Sequence, residues 1–312
     1  MLAPMAGYSD RAMRVLASRM GAEWSVTEMV SAKATVFGDK KTAKLARIQP
    51  DEGRVALQIF GSEPKIMARA AEILSSPIGE GGCRPIAIDI NAGCPVNKIF
   101  TNGEGSALMK SPELIRDIVR AVSGATDLPV SIKIRAGIDR SHLCAVECAL
   151  AAEEGGASLI CVHGRTRSEM YSGTVDREII KNVKKSVHIP VVANGDILSG
   201  ADAVAMLRET GADGVAVGRG AVGNPFIFSE IISALEGAEY TAPTLGEVAE
   251  CALLQLRLAS LDKGERIAVP EARKQIALYL KGFRGASALR AEINRAETYG
   301  EVEKVIRSAM QT

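Results

Sequence analysis

The segment Ile90-Asn91-Ala92-Gly93-Cys94-Pro95 sets a thiol between a glycine and a proline at the end of an apolar, β-branched run, 85–90. Gly93 admits backbone conformations closed to other residues and Pro95 fixes its own φ, so the pair aims the Cys94 side chain. A cysteine that only packs needs no such aiming, although an isolated free cysteine is usually a small buried hydrophobe. Its surroundings must decide between the two. Polar residues close the other apolar runs as well: Pro4-Met5-Ala6, Glu28, Gln58 with Gly61, Lys133 and Arg135, His163-Gly164-Arg165, Asn194-Gly195-Asp196 and Gly218-Arg219-Gly220. Each has an innocent use by itself, since Gln or Asn caps turns and Lys snorkels or pairs with an acid. Together they describe a ligand site. Segments 194–196 and 218–220 bring free backbone N–H groups, a guanidinium and a helix start near Asn224-Pro225, which is chemistry for a phosphate. A monophosphate is expected, its heterocyclic remainder meeting Gln58 and Lys133 at a polar edge and residues 4–6 on a face.

Such residues need elements that carry them to one place. Short apolar runs at 1–4, 24–27, 54–59, 85–90, 129–135, 159–163, 190–194 and 214–217 read as strands covered on both faces. Helical patterns lie between and after them, at 10–20, 32–37, 64–74, 112–122, 141–154, 177–186, 199–210 and 225–235. Several open on a proline or a Ser/Asp cap. Eight alternating units predict parallel strands in a closed (β/α)₈ TIM barrel of the α/β class, with an open doubly wound sheet as runner-up. The open sheet calls for a GxGxxG turn after its first strand, where this chain runs Pro4-Met5-Ala6-Gly7-Tyr8-Ser9-Asp10. In a barrel the polar strand ends share the carboxyl face, where ligands bind. Residues 237–244 read as a linker between a barrel domain, 1–236, and a small C-terminal helical domain, 245–312.

The composition permits this. With 38 Lys and Arg against 37 Asp and Glu, a nucleic-acid partner would have to be met by a local patch rather than by net charge. No apolar run approaches the ~20 residues of a membrane-spanning helix, and no signal peptide is recognisable, so a cytoplasmic enzyme without a membrane partner is expected. Six cysteines without a paired framework suit a reducing compartment. Cys144 and Cys148 beside His142 invite a metal, but an i,i+4 pair on a helix with no second ligand pair favours core packing, and no metal is expected.

The ordered segments APMAGYSD (3–10), QIFGS (58–62), INAGCP (90–95), GSALM (105–109), IKIR (132–135), HGRTR (163–167), NGDI (194–197), GRGAVGNP (218–225) and KQIALYLKGF (274–283) resemble the tRNA-dihydrouridine synthases, nearest to the bacterial DusB-like branch. The resemblance implies FMN bound on a (β/α)₈ barrel, a helical tail that helps hold tRNA, and reduction of the 5,6 double bond of particular uridines, with NADPH or NADH recharging the flavin. It implies cofactor contacts at Pro4, Met5, Ala6, Gln58, Lys133, His163, Asn194, Gly195, Asp196, Gly218 and Arg219. Cys94 then becomes the proton donor, a thiol that must stay protonated, which its ordinary pKa of ~8.5 allows. Substrate contacts are expected at Asn91, Arg135 and Arg165 near the mouth, with Arg167 beside them, and at Arg273, Lys274 and Lys281 in the tail. Residues 266–295 carry seven basic side chains against two acidic ones, a stripe suited to phosphates. The loop 101–105 reads as a lid, with Asn97 and Lys98 before it facing RNA or solvent. A monomer is expected.

Two features depart from the family pattern. The chain reaches the first cofactor motif almost at once, which predicts a truncated start or a poorly anchored first strand. Gln275 stands where related sequences often have a histidine, which weakens any RNA contact there. Two rivals remain open on the residues: an FMN barrel oxidoreductase of a free pyrimidine, and a non-catalytic RNA-binding protein on a retired barrel.

Overall fold

A computed structural model describes residues 1–281 and 285–310. Its strands are β1 (Ser25–Val26), β2 (Val30–Ser31), β3 (Val55–Phe60), β4 (Ala87–Asn91), β5 (Val130–Arg135), β6 (Gly137–Asp139), β7 (His142–Leu143), β8 (Leu159–His163), β9 (Val191–Asn194) and β10 (Gly214–Ala216). All but the β6–β7 hairpin pair in parallel, in the order β1-β3-β4-β5-β8-β9-β10, with β2 also on β3. Leu2 closes the ring by bridging Ser25 on one side and Val217 on the other. Its N–H donates to the Trp24 carbonyl at 3.1 Å, its carbonyl accepts from Val26 N at 3.2 Å, and Ala3 N donates to Val217 O at 2.9 Å. The first strand is therefore anchored on both edges, contrary to the weak anchoring its early position predicts.

Alternation sorts the strand residues. On β4, Ile88 and Ile90 join the apolar core shared with the helices, while Asp89 and Asn91 are buried polar groups; on β5, Ile132 and Ile134 do the same against Ser131, Lys133 and Arg135. The flanking helices are α1 (Arg11–Arg19), α2 (Ala32–Val36), α3 (Lys40–Ala46), α4 (Pro64–Leu74), α5 (Asn97–Thr101), α6 (Pro112–Ser123), α7 (Ala145–Glu154), α8 (Arg177–Ser186), α9 (Gly200–Thr210) and α10 (Ile227–Glu236). Helix α6 shows why they form. Ser111 caps it by accepting from Leu114 N, Pro112 fits the first turn, and Ile115, Ile118, Val119 and Val122 bury one face.

Besides the short elements β2 and α5, which have no counterpart in the expectation, two stretches differ from it. Residues 137–143 form the β6–β7 hairpin, so the helix expected from 141 begins only at Ala145, with Cys144 at its N-cap. A Cβ at Gly137 would fall 2.2 Å from the His142 carbonyl, so the glycine is what lets the hairpin close. The thiols of Cys144 and Cys148 both donate to the Met109 carbonyl, at 3.2 and 3.7 Å. Helix α3, capped by Asp39, has no counterpart in the expectation because its lysine-rich sequence carries little apolar periodicity.

Residues 237–244 hold no helix or strand, and α11 (Leu245–Lys263), α12 (Glu265–Tyr279), α13 (Ala286–Ile293) and α14 (Tyr299–Ala309) follow. The tail is packed onto the barrel: Leu16 of α1 belongs to its apolar core, with Met20 and Phe226 against it. Arg11 pairs with Asp262 at 2.8 Å and Lys263 with Asp10 at 2.9 Å. No helix among the described residues is long and apolar enough to cross a membrane.

Candidate active site

Parallel register stacks the polar residues in layers. Gln58, Asp89 and Ser131 are neighbours across β3, β4 and β5; above them Asn91 pairs with Lys133, and Arg135 with His163 and then Asn194. One cavity of about 600 Å³ opens over these layers. It is lined by all the residues expected to contact the cofactor, from Pro4 to Arg219, and by Cys94, Asn91 and Arg135.

The turn after β4 is built around Cys94, which is 9% exposed. Asn91 Oδ1 accepts from the backbone N–H of Gly93 at 3.2 Å and of Cys94 at 2.9 Å. The Cys94 carbonyl accepts from Ser106 N at 3.1 Å and Ser106 Oγ at 2.8 Å. Gly93 has no left-handed φ; its use is close approach, since a Cβ there would lie 3.3 Å from the Lys133 carbonyl. The left-handed glycine is Gly105, at φ +59°, where a Cβ would meet Cys94 Cβ at 3.0 Å. Burial pushes the Cys94 thiol above its ordinary pKa, only partly offset by the Val96 N–H and the Arg135 charge. At neutral pH the group is a thiol.

Lys133 is half-buried, and its Nζ donates to Asn194 Oδ1 at 3.0 Å rather than to a carboxylate. Burial lowers its pKa. His163 is held neutral, its pKa pushed far down by burial and by the charges of Lys133, Arg135, Arg165 and Arg219. The Asp196 carboxylate, in a residue with φ +50°, faces Arg165 at 2.7 Å and Arg219 at 3.3 Å. Burial raises its pKa, but the Arg165 and Val175 hydrogen bonds outweigh that and hold it below the usual range. Near the phosphate position, the turn closest to the cavity is the 3₁₀ segment Arg219–Ala221; α10 starts later than expected, at Ile227. Arg219 is half exposed and lies 5.0 Å from the Tyr171 ring. A half-buried ammonium without a carboxylate, a neutral imidazole and an exposed guanidinium beside glycine backbone match a ring with a polar edge that ends in a phosphate.

The expected substrate residues divide. Asn91 lines the cavity while holding the Cys94 turn. Arg135 borders the cavity, but its guanidinium donates to three carbonyls: Gly93 at 2.8 Å, Thr166 at 3.0 Å and Met170 at 2.9 Å. It braces the thiol's turn. Arg165 is 1% exposed and does not line the cavity; it donates to Ser172 O, Gly173 O and Asp196. Arg167 stacks on Phe100, 4.0 Å from the ring centroid, and bonds Asn97, so Asn97 is engaged within the protein. In the tail, Arg273 is spent on the Ala296 carbonyl, at 2.6 and 3.2 Å, whereas Lys274 and Lys281 are exposed. Arg266, Arg290 and Arg295 are exposed as well, and Arg284, Gly282 and Phe283 lie outside the described residues.

Sequence reasoning overlooked the apolar rim: Tyr8, Met29, Val96, Tyr171, Leu198 and Leu278 also line the cavity. Leu278 comes from the tail helix α12, and it reaches the mouth because Gly223, at φ +70°, leaves room; a Cβ there would fall 2.5 Å from Leu278 Cβ. The i,i+3 spacing of Gln275 and Leu278, which puts both on one helix face, is the signal that could have found it. Gln275 is buried: its Nε2 donates to Gly7 O at 3.2 Å and its Oε1 accepts from Gln255, which in turn accepts from Tyr279 OH at 2.6 Å. On the other side of that residue, Gly7 N donates to Glu28 Oε1 at 2.5 Å.

The family model described as "Dihydrouridine synthase (Dus)" matches residues 1–312. The chain belongs to the dihydrouridine synthase family. It is 42% identical over 305 residues to tRNA-dihydrouridine synthase B of Shewanella oneidensis, covering 96% of this chain and 91% of that one. Against a probable tRNA-dihydrouridine synthase of Treponema pallidum it is 37% identical over 316 residues, covering 98% and 92%. Among solved structures, a morphinone reductase in complex with tetrahydroNAD superposes with TM-score 0.51 at 14% identity, over 79% of this chain and 89% of that one, a likeness of fold. The chain is accordingly an oxidoreductase with the activity of a tRNA-dihydrouridine synthase.

Proposed function

We propose that this synthase binds FMN in the barrel cavity and reduces the 5,6 double bond of uridines in tRNA, with Cys94 as the proton donor. The observation that carries the reading is a protonated, braced thiol on the wall of the cavity that also holds Lys133, Gln58 and Arg219. The enzyme depends on a flavin, and the residues fit FMN. Arg219 and the backbone of Gly195 and Gly218 would hold its phosphate, Lys133 and Gln58 the polar edge of its ring, and Pro4 to Ala6 one face. When bound and recharged by NADPH or NADH, it supplies two electrons and one hydrogen to carbon 6 of uracil.

The protein does the rest. Addition at carbon 6 leaves negative charge at carbon 5, shared with the oxygen of the neighbouring carbon 4 carbonyl, and Cys94 Sγ gives its proton to carbon 5, becoming a thiolate that solvent reprotonates. Burial keeps that proton in place until it is needed, and Arg135, close enough to favour the thiolate, eases its departure. Asn91 borders the same space as a contact for uracil. The base must leave its stack, which costs a few kcal/mol that contacts elsewhere on the RNA offset. Lys274 and Lys281, exposed on the tail, supply such contacts, whereas Arg165 and Arg273 act inside the protein. Residues 1–236 thus hold the cofactor and 245–312 orient the tRNA, in a cytoplasmic monomer without a metal.

The test is dihydrouridine mapping on tRNA after incubation of the yellow protein with NADPH, wild type beside Cys94→Ala. Reduction at defined positions by the wild type, nearly lost in a variant that keeps its flavin, is expected. Turnover of free uridine with tRNA untouched would sink the substrate assignment.

A further inference from the structure

Beneath the cavity lies a buried carboxylate for which the chemistry above has no use. Asp89 is 4% exposed, and each of its oxygens accepts one short hydrogen bond: Oδ1 from Ser131 Oγ at 2.5 Å, Oδ2 from Gln58 Nε2 at 2.6 Å. Gln58 is itself 1% exposed, and its Oε1 accepts from Asn91 Nδ2 at 2.8 Å. Asn91 Oδ1, turned the other way, accepts the two N–H groups of the Cys94 turn. The three side chains form one line from the barrel floor to the backbone of the proton donor.

The line has a polarity. Burial raises the Asp89 pKa, against the Ser131 and Gln58 hydrogen bonds and the Lys133 charge that favour the ionised form. That form only accepts, so Gln58 offers it the NH₂ group and faces Asn91 with oxygen. Asn91 must then present NH₂ to Gln58 and oxygen to the turn. At the far end the Gly93 and Cys94 N–H groups, which only donate, demand the same order, so both ends of the line agree, and Asp89 is its one acceptor-only member. We propose that Asp89 is a positioning residue for the reaction: its carboxylate locks the Gln58 amide in the one orientation that matches Asn91 and so keeps Asn91 holding the backbone turn that aims Cys94. An amide in place of this carboxylate, as in Asp89→Asn, can donate to Gln58 Oε1 and flip the Gln58 side chain. Gln58 then shows NH₂ to Asn91, and if Asn91 follows, its own NH₂ meets the Gly93 and Cys94 N–H groups, donor against donor. The turn would lose both hydrogen bonds that define it. Buried networks are sensitive to such errors because an unmatched group has no water to turn to.

The inference rests on the proposed role of Cys94, and two readouts keep them apart. The first is the split between half-reactions in Asp89→Asn. Reduction of the bound flavin by NADPH should stay within about threefold of wild type, while reoxidation by tRNA falls about tenfold or more, as expected when a general acid is misplaced. The second needs no turnover: the rate at which iodoacetamide alkylates Cys94, followed by mass spectrometry of its peptide. It should change severalfold in Asp89→Asn and return toward wild type in the double variant Gln58→Glu/Asp89→Asn. There the carboxylate has moved to position 58, accepts from Asn91 and from the amide introduced at position 89, and restores the orientation at the turn. A generally loosened core would not be rescued. Equal loss of both half-reactions, an unchanged alkylation rate, or no recovery in the double variant overturns the proposal. If Asp89→Asn yields no soluble protein, Asn91→Asp, which sets an oxygen against Gln58 Oε1, must show the altered alkylation, and an unaltered rate is equally fatal. Failure of wild-type enzyme to reduce tRNA would instead fall on the proposed function and leave the alkylation result standing.

Discussion

Around Cys94 the polar groups are buried and matched one to one by hydrogen bonds, whereas along the seam between α1 and the tail the contacts at the rim are ion pairs. In the first region Asp89, Gln58, Asn91 and Arg135 spend their polar atoms on partners inside the barrel. In the second, Asp262 and Lys263 meet Arg11 and Asp10 with side chains that water still reaches. Buried hydrogen bonds are directional and little affected by salt; accessible ion pairs are screened by it. The difference assigns geometry to the barrel and adaptability to the rim of the tail. One exception joins them, the Tyr279–Gln255–Gln275 triad that ends on the Gly7 carbonyl.

The comparison can be tested from its strongest member downward. Cys94→Ala removes the proposed acid and should slow tRNA-dependent flavin reoxidation by about 10²–10⁴-fold, with flavin reduction preserved; stopped-flow absorbance separates the two. Arg14 and Glu52, both buried, form an ion pair at 2.6 Å, and Arg14 also donates to Ser9 O, just after the cofactor turn. Arg14→Met leaves a carboxylate unpaired and should cost about 3–5 kcal/mol in urea unfolding. A cost near zero would mean that the buried side of the comparison is not the rigid one. Gln255→Leu strands Tyr279 OH and the Gln275 oxygen, for about 1–3 kcal/mol. If the triad couples tail to cofactor turn, flavin affinity drops with it, and calorimetry with FMN would show affinity untouched if it does not. Asp262→Asn, at the rim, should change stability by no more than about 1 kcal/mol, an effect that fades at about 1 M salt.

A pH profile sharpens the same contrast. Because burial raises the Cys94 pKa, the protonated form persists beyond the usual thiol range. Reoxidation by tRNA should therefore hold steady through neutrality and decline as pH rises past ~8.5, where an exposed thiol would already be half ionised. A decline beginning near neutrality would show a thiol activated as a nucleophile instead.

What the sequence revealed follows the same division. The strands were legible because both faces are buried and their apolar runs are unbroken, as in 85–90 and 129–135. The cavity residues were legible because parallel register forces strand ends to one face. The roles of the arginines were not: Arg135, Arg165 and Arg273 read as cations for RNA, yet each is turned onto backbone carbonyls, for Arg135 and Arg273 those of segments more than twenty residues away and for Arg165 those of the loop just after it. Gly93 read as the glycine with the special backbone, yet it serves close approach, and the left-handed residue at the thiol is Gly105. Gln275 read as a lost RNA contact and proved to be an internal strut.

The closing of the ring by Leu2 has a consequence for how the enzyme comes into being. Leu2 completes the sheet by pairing with Val217, so the two partners of that seam are separated by nearly the whole barrel sequence. Contacts of such long range form late. During synthesis the first strand must wait beside its neighbour, one edge open, until the last barrel strand leaves the ribosome. Pro4 to Ala6 and Gly218-Arg219 lie just past the two sides of that seam and line the same cavity. The nascent chain therefore gains this cavity in the act of sealing its barrel, and the FMN proposed to fill it, by gripping both sides, would serve as the clasp.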